Sequence, residues 1–97
     1  MTMDYAEKFW KSFERVTDPI KLNDSDRFDL CATIIRSKRN GGLLFDLRVW
    51  VNGEPTRGGV YLTAPTAENV KKLMEEFLEM VAQPSIKDEL GYNPFEG

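Results

Sequence analysis

The stretch FDLRVWVNGEPTRGGVYLT, residues 45–63, decides the fold. Phe45, Leu47, Val49 and Val51 alternate with Asp46, Arg48 and Trp50, the period of two that gives a strand one apolar face. Asn52-Gly53 is a strong two-residue turn signal, so the run to Leu62 returns antiparallel. Pairing Val51 with Glu54 sets Val60 opposite Phe45 and Leu62 opposite Leu43, all on the apolar face. Arg57 and Tyr61 then join Arg48 and Trp50 on the other face. Pro55 and Gly58-Gly59 predict a longer loop or a bulge, and any even shift of register keeps the faces.

Moving toward the N-terminus, strand candidates 28–37 and 42–51 flank the tip Lys38-Arg39-Asn40-Gly41. With Ser37 opposite Gly42, Phe28 meets Val51, Leu30 meets Val49, Ala32 meets Leu47 and Ile34 meets Phe45. A slip of one residue would break all four apolar pairs, so the register is well specified. The opposite face pairs Cys31 with Arg48, Thr33 with Asp46 and Asp29 with Trp50. Earlier still, Tyr5, Ala6, Phe9, Trp10, Phe13 and Val16 recur at helical spacing between an Asp4 N-cap and Asp18-Pro19. A short extended piece, Ile20-Lys21-Leu22, leads into the turn-rich Asn23–Asp26.

After the 45–63 stretch, Thr66 is the expected N-cap of a helix. Its stripe is Val70, Leu73, Met74, Phe77, Leu78 and Val81, up to Pro84. The expected class is α+β: a curved antiparallel four-stranded sheet followed by an amphipathic helix, with one extra N-terminal helix. The organisation is an N-terminal helix over 1–19, a sheet plus helix over 20–83, and an acidic tail over 84–97. A sheet with a helix across it covers one face well. The second face, with its arginines, tryptophan and tyrosine, is expected to be open.

Composition narrows the chemistry. A chain of 97 residues is one domain with a modest core, and pairing with a second copy would help it. There is no histidine, which removes the familiar zinc sites, Ser–His and Cys–His nucleophile pairs, and the commonest general base. The single Cys31 fits a reducing compartment. Asp24 and Asp26 read as turn chemistry rather than a metal site. The expectation is therefore a binder with no catalytic residues, no metal and no cofactor. No apolar run reaches the length of a membrane span, and the acidic, amphipathic start is unlike a signal peptide. Location is expected to be cytoplasmic, nucleoid-associated or in a phage-infected cell, or nuclear in a eukaryote.

The formal net charge of −3 conceals a division. Residues 28–74 hold seven basic and four acidic side chains, whereas residues 75–97 hold one basic and six acidic. Local field rather than net charge decides where an anion settles. Rings interleaved with cations on a sheet suit single-stranded nucleic acid, since bases stack on rings while arginine and lysine neutralise phosphates. The hairpin residues Arg36, Lys38 and Arg39 add a cationic cluster. Such a platform requires Trp50 and Arg48 to face solvent. An indole sealed beneath the N-terminal helix would remove it.

The block ATIIRSKRNGGLLFDLRVWVNGEPTRGGVYLTAPTAENVKKLMEEF, residues 32–77, resembles the single-stranded-DNA-binding domain of the transcriptional positive cofactor four family. The shared pattern is a basic hairpin, then Asp46-Leu47-Arg48-Val49-Trp50, then a Pro/Gly loop and a strand, Pro55 to Leu62, then the amphipathic helix. The resemblance implies a β-β-β-β-α fold that forms a homodimer through the helix residues Val70, Leu73, Met74, Phe77, Leu78 and Val81. It implies binding of single-stranded DNA with little sequence preference, in transcription, replication or recombination. Arg36, Lys38, Arg39, Arg48, Trp50 and Arg57 would be the DNA contacts, with Tyr61 beside them on the same face. The chain departs from the pattern where Gly58 replaces a lysine between the loop glycines, and in its N-terminal helix.

Two other classes compete. RNA is an alternative ligand, because stacking platforms discriminate poorly between sugars. A protein–protein adaptor would use the amphipathic helices and the open sheet. The acidic segment 88–97, with Tyr92, Pro94 and Phe95, resembles the tips by which unrelated single-strand-binding proteins recruit partners.

Overall fold

The computed structural model describes residues 4–83. In chain order it contains α1 (Tyr5–Ser12), β1 (Phe13–Arg15), β2 (Ile20–Lys21), β3 (Asp29–Ser37), β4 (Leu43–Val51), β5 (Glu54–Leu62) and α2 (Ala64–Val81). The strands form one antiparallel sheet of five in the order β1-β3-β4-β5, with β2 also paired to β3. The chain divides into two compact units, Met1–Ala64 and Pro65–Gly97. The acidic tail falls outside the described residues.

The central hairpin has the expected register throughout, from Asp29 opposite Trp50 to Arg36 opposite Leu43. Its tip is tied by Gly41 N–H to the Ser37 carbonyl and by Gly42 N–H to Asn40 Oδ1. In the second hairpin Asn52 and Gly53 both take positive φ, 52° and 76°, as a tight primed turn requires. The expected irregularity lies beyond this turn, as a bulge. Trp50 faces Pro55 and Arg48 faces Gly59, so Val49 alone spans Thr56, Arg57 and Gly58. Thr56 Oγ1 braces the bulge, donating to the Val49 carbonyl at 2.7 Å and accepting from Gly58 N–H. Two extra residues are an even number, so Val60 and Leu62 keep their face but sit opposite Leu47 and Phe45 instead of Phe45 and Leu43.

The N-terminal helix is shorter than its periodicity suggests. Asp4 caps it through Glu7 N–H, but it ends at Ser12, and Phe13 is already extended. Phe13–Arg15 pairs with Ser37–Ile35 at the edge of β3. Helix continuation would have left that edge's N–H and C=O groups without strand partners. Thr17 Oγ1, β2 and the Asn23 side chain satisfy the rest of the same edge. A fifth strand therefore replaces the last turn of the expected helix. α2 begins at Ala64 rather than after Thr66, with Pro65 in its first turn, where a missing N–H costs nothing.

The larger correction concerns the faces. The apolar face expected to be sealed carries Phe45 at 38% and Val60 at 57% exposure, with Phe28, Ile34 and Val51 also exposed. The face expected to be open is the buried one. Ile35, Thr33, Asp46, Cys31, Arg48 at 3% and Trp50 at 4% lie there, with Phe9 of α1 over Arg48 and Trp10 against Trp50. Alternation had sorted the side chains into two faces. The eight-residue helix chose which face to cover.

Candidate nucleic-acid interface

Beneath α1, Arg48 is the hub. Its Nε and Nη2 donate to the Asp46 carboxylate at 3.0–3.2 Å, and its Nη1 donates to Tyr5 Oη and the Thr56 carbonyl. The bulge supplies that carbonyl, and α1 supplies the tyrosine. The guanidinium also lies 4.9 Å from the centre of the Phe9 ring and 5.7 Å from that of Tyr5. Trp50 sits 6.1 Å from Trp10, with the Arg15 guanidinium over both rings at 5.6 and 5.3 Å. Trp50 Nε1 and Thr33 Oγ1 are buried with no hydrogen-bond partner among the described residues, each costing about 1–3 kcal/mol. This is an expensive interior, polar where a core would be apolar.

Burial pushes the Asp46 carboxyl above the usual carboxylate range, more than the hydrogen bond and charge of Arg48 pull it down. The folded state therefore holds that proton longer than the unfolded chain. The contribution to stability is full below the ordinary aspartate range and is lost as pH rises through the elevated one. Thermal midpoints measured from about pH 3 to pH 7 should show this decline, and Asp46→Asn should abolish it. Equal pH dependence in the two proteins would refute the assignment. Burial, with Asp29 nearby, likewise pushes the Cys31 thiol up, which disfavours the reactive thiolate.

The exposed part of the site lies at the sheet's other end. Pairing of Phe13 with Ser37 brings the end of α1 alongside the first hairpin tip. Lys11, Phe13, Lys38, Arg39, Asn40 and Tyr61 line a groove there of about 790 Å³. The Phe13 and Tyr61 rings stand 5.3 Å apart, and Tyr61 is 52% exposed. No carboxylate among the described residues lines this groove. Lys38 donates from Nζ to the Trp10 carbonyl at 2.7 Å and from its backbone N–H to Ser12, a cation at the negative end of α1.

Of the seven expected contact residues, Lys38, Arg39 and Tyr61 meet in this groove. Arg48 and Trp50 do not face solvent, so the expected ring-and-guanidinium platform is closed. Arg36 is exposed on the opposite face, its Nη1 donating to the Gly41 carbonyl. Arg57 is exposed at the bulge, over the Tyr5 ring. Lys11 and Phe13 were missed. The helical period assigned Phe13 to a helix face, and only β-pairing turns it toward Tyr61. In α2, Leu73, Met74, Phe77 and Leu78 are exposed, Val70 is half-buried and Val81 is buried.

No helix among the described residues is long and apolar enough to cross a membrane. No protein-family model, curated protein or solved structure matches this chain.

Proposed function

We propose that this chain is a non-catalytic single-strand-binding protein, taking single-stranded DNA with little sequence preference in the groove between α1 and the first hairpin tip. One observation carries the reading. A chain of net charge −3 gathers Lys11, Lys38 and Arg39 around the exposed Tyr61 ring and the half-buried Phe13 ring, with no lining carboxylate among the described residues. Cations at the rim would neutralise phosphates while Tyr61, edged by Phe13, offers its face to a base. The resemblance of residues 32–77 supports the ligand class. The site moves from the sheet's centre to its end because α1 occupies the centre. The exposed stripe of α2 supports pairing of two copies through that helix, which sedimentation of the free protein measures; a monomer at high concentration would remove the pairing.

The test is a titration of labelled dT12, U12 and a duplex at 50 and 200 mM salt. Three phosphate contacts at about 0.7 ion each give a log–log slope of about −2, or roughly 20-fold weaker binding at the higher salt. Duplex should bind more weakly than dT12, and comparison with U12 decides between DNA and RNA. No binding at the lower salt would sink the proposal. Together with a co-purifying protein, it would favour the adaptor reading instead.

A further inference from the structure

We infer that α1 is a displaceable cover that occupies, with its own rings, a second base-stacking surface on the same sheet face as Tyr61. This rests on the single-strand-binding reading and adds its regulation. Phe9 lies over the Arg48 guanidinium at 4.9 Å, Tyr5 lies between Arg48 and Arg57 at 5.7 Å from each, and Trp10 stands against Trp50. Ring on guanidinium and ring on indole are the contacts that unstacked bases make with such side chains. The helix is therefore a ligand mimic built into the chain.

Three observations make the cover displaceable. It has eight residues, too few to be helical without its docking contacts. Among the described residues Trp50 Nε1 and Thr33 Oγ1 on the covered face have no hydrogen-bond partner, so closure is incompletely satisfied. The cover is also fastened by a group the groove needs. Lys38 Nζ holds the Trp10 carbonyl, and Lys38 is also a lining residue of the groove. A phosphate drawing Lys38 toward itself weakens the hold on the end of α1, and release of α1 uncovers Arg48 and Trp50 for the next bases. Groove occupancy and closure compete for one cation.

The experiment uses the full chain. Hydrogen exchange is followed with and without saturating dT12, alongside dT12 affinity of the unmodified protein and of Asp4→Ala, which removes the N-cap from Glu7. If the cover must open, exchange in α1 should speed up about tenfold on binding while β3 and β4 stay protected. Loss of the cap should tighten binding about fivefold, the opening equilibrium being shifted by that factor. Binding with α1 exchange unchanged or slowed, or with Asp4→Ala no tighter, overturns the cover and leaves the groove reading standing. Absence of binding by both proteins at 50 mM salt overturns the two together.

Discussion

Gly59→Ala is expected to cost about 3 kcal/mol or more, lowering the thermal midpoint by on the order of 15 °C in a domain of this size. A Cβ at Gly59 would lie 2.3 Å from the Leu47 carbonyl oxygen and 2.6 Å from Arg48 Cα. Both are backbone atoms of the neighbouring strand, so no rotamer change relieves the clash. The bulge beside Gly59 also presents the Thr56 carbonyl to Arg48, and the damage reaches the buried hub. Gly58→Ala is the control. Its added carbon would meet Thr56 and Val49 at 3.6–3.7 Å, ordinary contact. Calorimetry of the two variants measures the difference, and a Gly59→Ala midpoint within a few degrees of the parent would contradict the register at the bulge.

Tyr61→Ala should weaken dT12 binding by roughly 5- to 150-fold, the equivalent of about 1–3 kcal/mol for one lost stack, while the midpoint barely moves. Tyr61 is half-exposed and its one ring neighbour among the described residues is Phe13. Truncation therefore removes little buried surface. Loss of a single lysine contact should instead lower the salt slope by about 0.7, a change that Tyr61→Ala should not produce. Tyr61→Phe should bind nearly as the parent does, because stacking uses a ring face and not a hydroxyl. Unchanged affinity in Tyr61→Ala would remove the groove from consideration. Equal losses in both variants would assign the hydroxyl instead.

Much of the fold was legible because it depends on local rules. Four apolar pairs pinned the central register, Asn52-Gly53 announced a primed turn, and Asp4 announced a cap. The site was only partly legible. Lys38, Arg39 and Tyr61 were visible as exposed cations and a ring. Phe13 was not, because its helical spacing and its strand pairing compete within one segment, and the open edge of β3 decided between them. Arg48 and Trp50 were placed on the correct face and given the wrong surroundings.

Residue order by itself determined the register of the central hairpin and the membership of each of its faces, because strand periodicity is two and a one-residue slip costs every apolar contact at once. Which face is covered was decided only in three dimensions. The covered side takes α1 through rings on a guanidinium group and an indole. No property of Arg48 or Trp50 in isolation reveals that Phe9 and Trp10 will reach them.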